Sequence, residues 1–310
     1  MSNRRLKAYL MLLAVVVIWG VAGPVIKFTL EGIDPLPFIV YRLGISAVIS
    51  LVFFGHKIKQ GKKFNQLRAH FPLALVYGFL AVPVALGTLF YALDETTVLD
   101  LTLVGVMGPL LSLAGGAYFF KDHITKKQKT GIVIVIIGVV LNSFYPLFEK
   151  GSEIRLTGNI LLFAYLLTDS ASVLIAKRSL RLKIKSANLT NLAFILGFVT
   201  LLPLVIYSYG AGNFTAMIIS LPLKYHLGVW YMALMSGNLA YYLYIRSERT
   251  LDVSETVLFN YLQPVVTIPL AIFWLHEELS VHFIIGAIII AIGLFVVEFK
   301  RYKKPVVKTT

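Results

Sequence analysis

One carboxylate lies where a carboxylate is costly. Asp169 falls near the middle of an apolar stretch, residues 156–176, that is long enough to cross a bilayer. An ionised Asp at the centre of a spanning helix costs about 2.5–3.5 kcal/mol on insertion scales, so it must face a cavity, find a partner or hold a proton. Two roles fit it. It either binds a coupling proton or cation, or stays neutral and hydrogen-bonded to a neighbouring helix, helped by Thr168, Ser170 and Ser172.

A cation lies inside another apolar stretch. Arg42 is the eighth residue of the stretch 35–55. Its guanidinium can neutralise an anionic group of a substrate or pair with a protein carboxylate. The alternative is that it extends to the headgroups, because at 1.5 Å per residue it lies only about 10 Å from that end of the stretch. Lys27 and Lys177 end their stretches, and we expect them to reach the headgroups.

Amide and aromatic side chains recur inside four apolar stretches. Asn260 and Gln263 lie three residues apart, on one helix face, just before Pro264. A proline frees a backbone carbonyl and kinks its helix, which exposes polar groups to a cavity. The further candidates are Trp19, Tyr91, Asn238, Tyr241 and Tyr242. Together they predict a substrate pocket with aromatic walls. The alternative is that the polar groups only join helices, contributing about 0.6–2 kcal/mol each.

Several chemistries find no support in the sequence. The chain has no Cys, which excludes disulfides and thiolate nucleophiles. His276 and His282 are six residues apart, which is not the spacing of a helical zinc site. Neither a Gly-rich phosphate loop nor a nucleophile elbow is present. We therefore expect no metal, no cofactor and no enzymatic activity. Asp100 and Glu255, near the starts of their stretches, are expected to be structural acids at helix N-termini.

The composition indicates a polytopic membrane protein. Of the 310 residues, 58% are hydrophobic and 14% are charged, against about 45–50% and 25% in soluble domains. A spanning helix needs about 20 mostly apolar residues. Ten stretches meet this requirement, and we predict ten spans at about 8–28, 35–55, 71–91, 97–119, 129–148, 156–176, 188–208, 225–245, 253–274 and 282–299. The seventh is the weakest, because it opens on a polar run.

The charge distribution orients these spans. The chain carries 29 Lys and Arg against 15 Asp and Glu, a formal charge of +14. With the N-terminus inside, most of the basic residues fall in inner segments, whereas the outer segments are mainly acidic. This asymmetry predicts that both termini are cytoplasmic, in the cell membrane, with an even number of spans. It also accounts for the net charge without a nucleic-acid partner.

The chain contains an internal repeat. Shifted by 155 residues, the segment 98–140 aligns with 253–295 without a gap. The matched residues are Pro109 with Pro264, Asp122 with Glu277, Thr125 with Ser280, Gly131 with Gly286, and Gly138 with Gly293. We predict two five-helix repeats, residues 1–150 and 151–310, the second ending in a basic cytoplasmic tail. Because five is odd, the second repeat enters the membrane from the opposite side.

Such inverted repeats are typical of secondary transporters, whose substrate site lies near the midplane between the halves. The prolines Pro109 and Pro264 are then candidate hinges. The alternative is that duplication only enlarged a helical bundle. An intramembrane lipid-modifying enzyme and a channel are the other functions considered. The enzyme would need paired catalytic groups at one depth, and a fixed pore does not require proline-broken repeats.

Three runs of sequence resemble a known family. They are VIWGVAGPVIKF in the first span, YR in the second, and FNYLQPVVTIPLAIFWLHEELSVHFIIGAIIIAIG near the end. They resemble the drug/metabolite transporter superfamily, and within it the EamA-like ten-helix transporters. The resemblance implies an all-α membrane fold of ten helices, in two inverted halves around a central cavity. It also implies transport of small molecules, such as amino acids or related metabolites, often outward. One position departs from the family: Asp169 lies opposite Trp19, where the sixth helix often carries Trp.

Overall fold

The structure is a computed structural model that describes residues 3–61, 64–121, 124–145, 153–247, 250–251 and 259–298. All regular structure in this part of the chain is helical. We label the long helices α1 (Asn3–Leu30), α2 (Pro35–Lys59), α3 (Phe71–Glu95), α4 (Val98–Phe119), α5 (Lys126–Phe144), α6 (Glu153–Arg181), α7 (Ser186–Tyr209), α8 (223–247), α9 (Gln263–Phe273) and α10 (Val281–Glu298). Two short helices, Asn65–Ala69 and Ala211–Ser220, lie in connections.

Seven of these helices, α1 to α7, are long and apolar enough to cross a membrane, and each coincides with one of the first seven predicted spans. The seventh span, which opens on a polar run, is a continuous helix of 24 residues. Among the described residues α9 and α10 are shorter apolar helices. Part of the predicted ninth span, the acids Asp122 and Glu255, and the basic tail after residue 298 lie outside the described residues.

The helices pack in a regular set of pairs. Helix α1 packs on α8 and α9, and α6 packs on α3 and α4. Helix α2 packs on α7, and α5 packs on α10. Buried apolar side chains, among them Phe38, Phe90 and Leu162, form one core that joins these pairs. Many large apolar residues remain exposed on the outer faces, for example Val52, Phe119 and Ile288, as expected where lipid is the solvent.

Glycines set the contact between α5 and α10. A Cβ added to Gly131 would lie 2.7 Å from the carbonyl oxygen of Gly293, and one added to Gly138 would lie 3.1 Å from that of Gly286. The pairing runs in opposite directions along the two helices, so α5 and α10 are antiparallel. Because the facing atoms are backbone, a side chain here would force the helices apart.

Two helices break at related places. Helix α4 is interrupted at Val106, three residues before Pro109. A turn at residues 261–262 precedes α9, again just before a proline, Pro264. A proline has no N–H to donate to the carbonyl four residues earlier, which explains a break at both positions. Two π-helical segments widen other helices: Leu80–Leu86, which contains Pro83, in α3, and Tyr231–Leu239 in α8.

A buried polar network joins α4, α5 and α6 at the end of the bundle that carries the α1–α2 connection. The Asp100 side chain is fully buried. Its carboxylate accepts hydrogen bonds from Arg155 Nε at 2.8 Å and Arg155 Nη2 at 3.2 Å, and from Asn142 Nδ2 at 2.9 Å. Its own N–H donates to the Thr97 hydroxyl, which caps α4. Asp100 is thus paired as well as located in a first helical turn.

Two more charged residues bind backbone at this end. Glu277, in the α9–α10 connection, accepts hydrogen bonds from the N–H groups of Val98 and Leu99 at 2.7 and 2.9 Å, which satisfies the start of α4. Burial raises the pKa of the Glu277 carboxyl, although these hydrogen bonds oppose the shift. The ammonium of Lys27, which the sequence predicts to reach the headgroups, donates to the carbonyls of Leu93 and Asp94 at this end, because the last carbonyls of α3 lack helical partners.

We predict that Gly131→Ala destabilises the protein, because the added methyl meets the backbone of α10. Overpacking of this kind costs about 1–3 kcal/mol. Thermal unfolding in detergent micelles, followed by tryptophan fluorescence, should show a lower Tm. Gly55→Ala is the matched control, since nothing lies within 4 Å of a Cβ at Gly55. Equal Tm values for the two variants would contradict this account of the α5–α10 contact.

We also predict that Asp100→Ala lowers the Tm, because it leaves donors of Arg155 and Asn142 without their acceptor. Removing one partner from a buried polar group costs about 1–3 kcal/mol. Glu31→Ala, at an exposed acid of the same bundle end, should leave the Tm within about 0.5 kcal/mol of the parent value. A neutral effect of Asp100→Ala in the same micelles would argue against a stabilising network.

Candidate functional site

Arg42 is buried, and no acidic side chain among the described residues forms an ion pair with it. The side chain is 3% exposed. Its Nε and Nη1 atoms are buried and have no hydrogen-bond partner among the described residues. The guanidinium therefore does not extend to the headgroups. A buried cation is costly unless it is paired, and it cannot lose its proton at physiological pH. Nε and Nη1 therefore keep N–H groups that have no acceptor among the described residues.

The backbone of α8 comes close to this guanidinium. A Cβ added to Gly237 would lie 3.7 Å from Arg42 Nη2 and 3.6 Å from Ser46 Oγ. Gly237 lies in the π-helical segment Tyr231–Leu239, and such segments recur at functional sites. Asn238 bonds back to the carbonyl of Ala233 at 2.7 Å. The glycine and the widened turn leave Arg42 room beside α8.

An aromatic wall adjoins these groups. The rings of Trp19 and Tyr241 meet edge to face with centroids 5.3 Å apart, and Tyr244 lies 5.4 Å from Trp19. Phe194 of α7 packs on Tyr241 at 6.2 Å. The indole N–H of Trp19 donates to the carbonyl of Ser236 at 3.1 Å, which fixes the ring. The guanidinium of Arg42 also lies 5.6 Å from the centre of the Phe90 ring.

Asp169 lies near mid-helix in α6, and no described residue donates a hydrogen bond to its carboxylate. The nearby hydroxyls bond elsewhere: Ser172 donates to the Asp169 backbone carbonyl, and Thr168 donates to that of Ala164. Ser170 Oγ is buried and has no partner among the described residues. The hydrogen-bonded neutral Asp that the sequence left open thus lacks the three helpers proposed for it.

Tyr241 is related electrostatically to both charged side chains. Its phenol lies within electrostatic range of both Arg42 and Asp169. The phenols of Tyr77 and Tyr165 are also within range of Asp169. Arg42 and Asp169 do not form an ion pair with each other within 4 Å.

The structure brings four of the sequence-predicted site residues close together: Trp19, Arg42, Asn238 and Tyr241. Asp169 lies on α6, within electrostatic range of Tyr241. The structure places the others elsewhere. Tyr91 is 43% exposed and lies near Asp34 and Asp94, at the α1–α2 end. Tyr242 is 55% exposed and accepts a hydrogen bond from Arg246.

Asn260 and Gln263 lie at the start of α9, 3.4 Å apart between Asn260 Oδ1 and Gln263 Nε2. The Gln263 carbonyl oxygen would lie 3.2 Å from a Cβ added at Gly20, next to Trp19. The start of α9 therefore lies against α1, next to the residue Trp19 of the aromatic wall.

Sequence reasoning missed several neighbours of the site. Two of them carry a signal that helical spacing provides: Ser46 follows Arg42 by four residues, and Tyr165 precedes Asp169 by four, so each pair shares a helix face. Tyr244 carries a similar signal, because it follows Tyr241 by three residues. Tyr77 and Phe194 carry none, because only tertiary packing brings them to the centre.

An open cleft elsewhere shares no residue with this cluster. It lies between the start of α5 and the last turn of α10, and is lined by Lys126, Lys127, Thr130, Phe295 and Val296. Surface lysines beside apolar groups at a helix end suit a membrane boundary. Over the described residues, no group of three or more His, Asp or Glu side chains is placed to hold a metal ion.

Comparison with known proteins identifies the family. The profile of the EamA-like transporter family matches residues 6–144 and 156–299. YyaM, an uncharacterized transporter of Bacillus subtilis (strain 168), is 25% identical over 296 residues, which cover 94% of this chain and 93% of YyaM. A probable amino-acid metabolite efflux pump of Salmonella typhimurium is 26% identical over 294 residues, 93% of each chain.

A solved crystal structure shares the fold, with a TM-score of 0.62 at 15% identity over 97% of this chain and 100% of its own. The seven apolar helices, the packing of the bundle and the family match over nearly the whole sequence agree with one another. The chain belongs to the EamA-like transporter family of the drug/metabolite transporter superfamily.

Proposed function

We propose that the protein is a secondary active transporter that exports small organic metabolites, amino acids or related compounds among them. The observation that carries the proposal is the pairing of its helices. If five is added to each helix number, counting on from α10 to α1, the pair α1–α8 becomes α6–α3 and the pair α1–α9 becomes α6–α4. Both of these pairs are present. The same renumbering exchanges α2 with α7 and α5 with α10, and each of these pairs is also in contact.

This pattern supports two inverted five-helix halves, residues 1–150 and 151–310, within ten spanning helices. The related glycines of α5 and α10 face each other in antiparallel order, as a two-fold axis in the membrane plane requires. The two ranges matched by the family profile fall on either side of residue 150. Helices α8, α9 and α10 are then the last three spans, and both termini are cytoplasmic in the cell membrane.

Two halves with one sequence pattern can exchange their packing, and that exchange opens a central cavity to one side and then to the other. The breaks before Pro109 and Pro264 are the hinges in this mechanism. The substrate lies between the halves, against Trp19, Arg42 and Tyr241. Asn238, Asn260 and Gln263 add hydrogen-bonding groups, while Tyr91 and Tyr242 lie farther toward the ends of the bundle.

The proposed cargo follows from the charge of the site and from one relative. The guanidinium of Arg42, whose Nε and Nη1 have no partner among the described residues, suits an anionic group such as a carboxylate. The Salmonella typhimurium relative is named a probable amino-acid metabolite efflux pump. Asp169 has no hydrogen-bond donor on its carboxylate among the described residues, and we assign it the coupling proton or cation.

Counterflow tests the transport proposal. Purified protein in liposomes loaded with a defined mixture of amino acids, nucleosides and organic acids should release at least one compound saturably, and external substrate should speed the release. Mass spectrometry identifies the compound, and protein-free liposomes are the control. Non-saturable release would indicate a channel, and a chemically altered compound would indicate an enzyme. Release equal to that of the control would overturn the proposal.

Asp169→Asn should abolish transport driven by a proton gradient and leave folding intact, because an amide has the shape of a carboxyl group but does not titrate. Transport is followed with and without an imposed pH difference, and folding by Tm. Ser172→Ala is the control, since its hydroxyl bonds only to backbone. A variant with parental rates and the parental pH profile would remove Asp169 from coupling.

A further inference from the structure

We infer that Lys27 and Glu277 form a latch that closes the α1–α2 end of the bundle, and that its release opens the central site at that end. The inference rests on the proposed function, which requires two groups of helices to separate at each end in turn. It assigns part of that movement to two particular side chains.

Two groups of helices meet at this end. Helix α1 packs on α8 and α9, and the α9–α10 connection belongs with α9, because the Glu277 N–H donates to the carbonyl of Ala271 at 3.0 Å. Helices α3 and α4 pack on α6. The proposed two-fold relation exchanges these groups, which we call the α1 group and the α6 group. Movement of one group against the other is therefore the movement that alternating access needs.

One side of the latch is a cation at a helix C-terminus. The ammonium group of Lys27, near the end of α1, donates to the carbonyls of Leu93 and Asp94 at 2.7 and 3.1 Å. These are among the last carbonyls of α3, which lack helical partners and lie at the negative end of the helix dipole. Both hydrogen bonds cross from the α1 group to the α6 group.

The other side of the latch is an anion at a helix N-terminus. The Glu277 carboxylate accepts hydrogen bonds from the N–H groups of Val98 and Leu99 at 2.7 and 2.9 Å, whereas the Thr97 side chain accepts only that of Asp100. Val98 and Leu99 are buried. Separation of the groups must therefore leave two N–H groups of α4 to find new acceptors, which makes the closed arrangement the stable one.

The break in α4 allows its first part to move. Residues Val98–Gly105 contact α1 and α9 in addition to α6, whereas the part after the break, Met107–Phe120, packs mainly on α6. A Cβ added at Gly23 of α1 would lie 3.4 Å from Val98 Cγ1, so the two groups are in close contact beside the latch. Once the latch is released, the first part of α4 can turn about the break, away from α1.

A reversible disulfide tests whether this contact must open. The chain has no Cys, so introduced cysteines can react only with each other. Gly23→Cys with Val98→Cys joins the two groups across the 3.4 Å contact, and we expect oxidation to abolish counterflow and reduction to restore it. Gly115→Cys with Leu174→Cys is the matched control: a Cβ at Gly115 would lie 3.4 Å from Leu174 Cγ, and both residues belong to the α6 group. Its disulfide should leave counterflow unchanged.

Labelling of a single cysteine tests the two latch residues. The Val98 side chain is fully buried, so Val98→Cys should react with a water-soluble maleimide only when this end opens. Adding Glu277→Gln or Lys27→Gln should raise the labelling rate about tenfold or more, since hydrogen bonds to charged groups are the strong ones. Glu278→Gln, at an exposed neighbouring acid, should leave it unchanged. Leu162→Cys, buried in α6, should label no faster when either latch variant is added.

The inference is overturned if the disulfide between residues 23 and 98 leaves counterflow at its reduced rate, or if the latch variants label no faster than the Glu278→Gln control. Equally faster labelling of Leu162→Cys would show general loosening and would overturn it too. The two experiments keep this result apart from the proposed function. If the parent protein shows no counterflow, faster labelling of the latch variants upholds the latch and removes the transport proposal. Counterflow that persists across the disulfide leaves a transporter that moves elsewhere.

Discussion

Hydrocarbon offers no hydrogen-bond partner to a backbone amide, and this constraint governs the architecture. A chain in lipid must satisfy its N–H and C=O groups internally, so the described residues form helices with apolar outer faces. Departures from regular helix lie at specific points: the breaks before Pro109 and Pro264, and the π-helical segments in α3 and α8. Irregular backbone at membrane depth is tolerated where protein or a cavity surrounds it, which is why such points mark the interior.

Polar side chains in the bundle fall into two groups with opposite chemistry. At the α1–α2 end, Asp100, Glu277 and Lys27 are each satisfied by a partner on another helix or connection, and they hold the bundle together there. At the centre, Nε and Nη1 of Arg42 have no hydrogen-bond partner among the described residues, and no described residue donates a hydrogen bond to the Asp169 carboxylate. The first arrangement stabilises one structure. The second retains a cost of desolvated charge, which the proposed binding of a ligand would relieve.

The sequence predicted the first seven spans well, because hydropathy alone identifies a helix in lipid. It could not decide between a headgroup contact and burial for Arg42, since both lie within reach of one flexible side chain. It grouped Tyr241 with Tyr242, although neighbouring residues of a helix point about 100° apart and only Tyr241 faces the centre. The sequence did not predict the carbonyl contacts of Lys27, because the free carbonyls at the end of α3 are found only when α1 and α3 lie side by side.

The widened turn of α8 has a consequence for the register of the site. An α-helix closes each turn with 3.6 residues, and a π-segment holds one residue more, so everything after it is rotated by about 100° relative to a regular helix. Tyr241 and Tyr244 follow the segment Tyr231–Leu239, whereas Tyr225 and Val229 precede it. The additional residue of the π-helical segment thus determines the direction in which Tyr241 and Tyr244 point. A chain shortened by one residue there would keep its hydropathy and its length across the bilayer, yet turn both phenols away from Trp19.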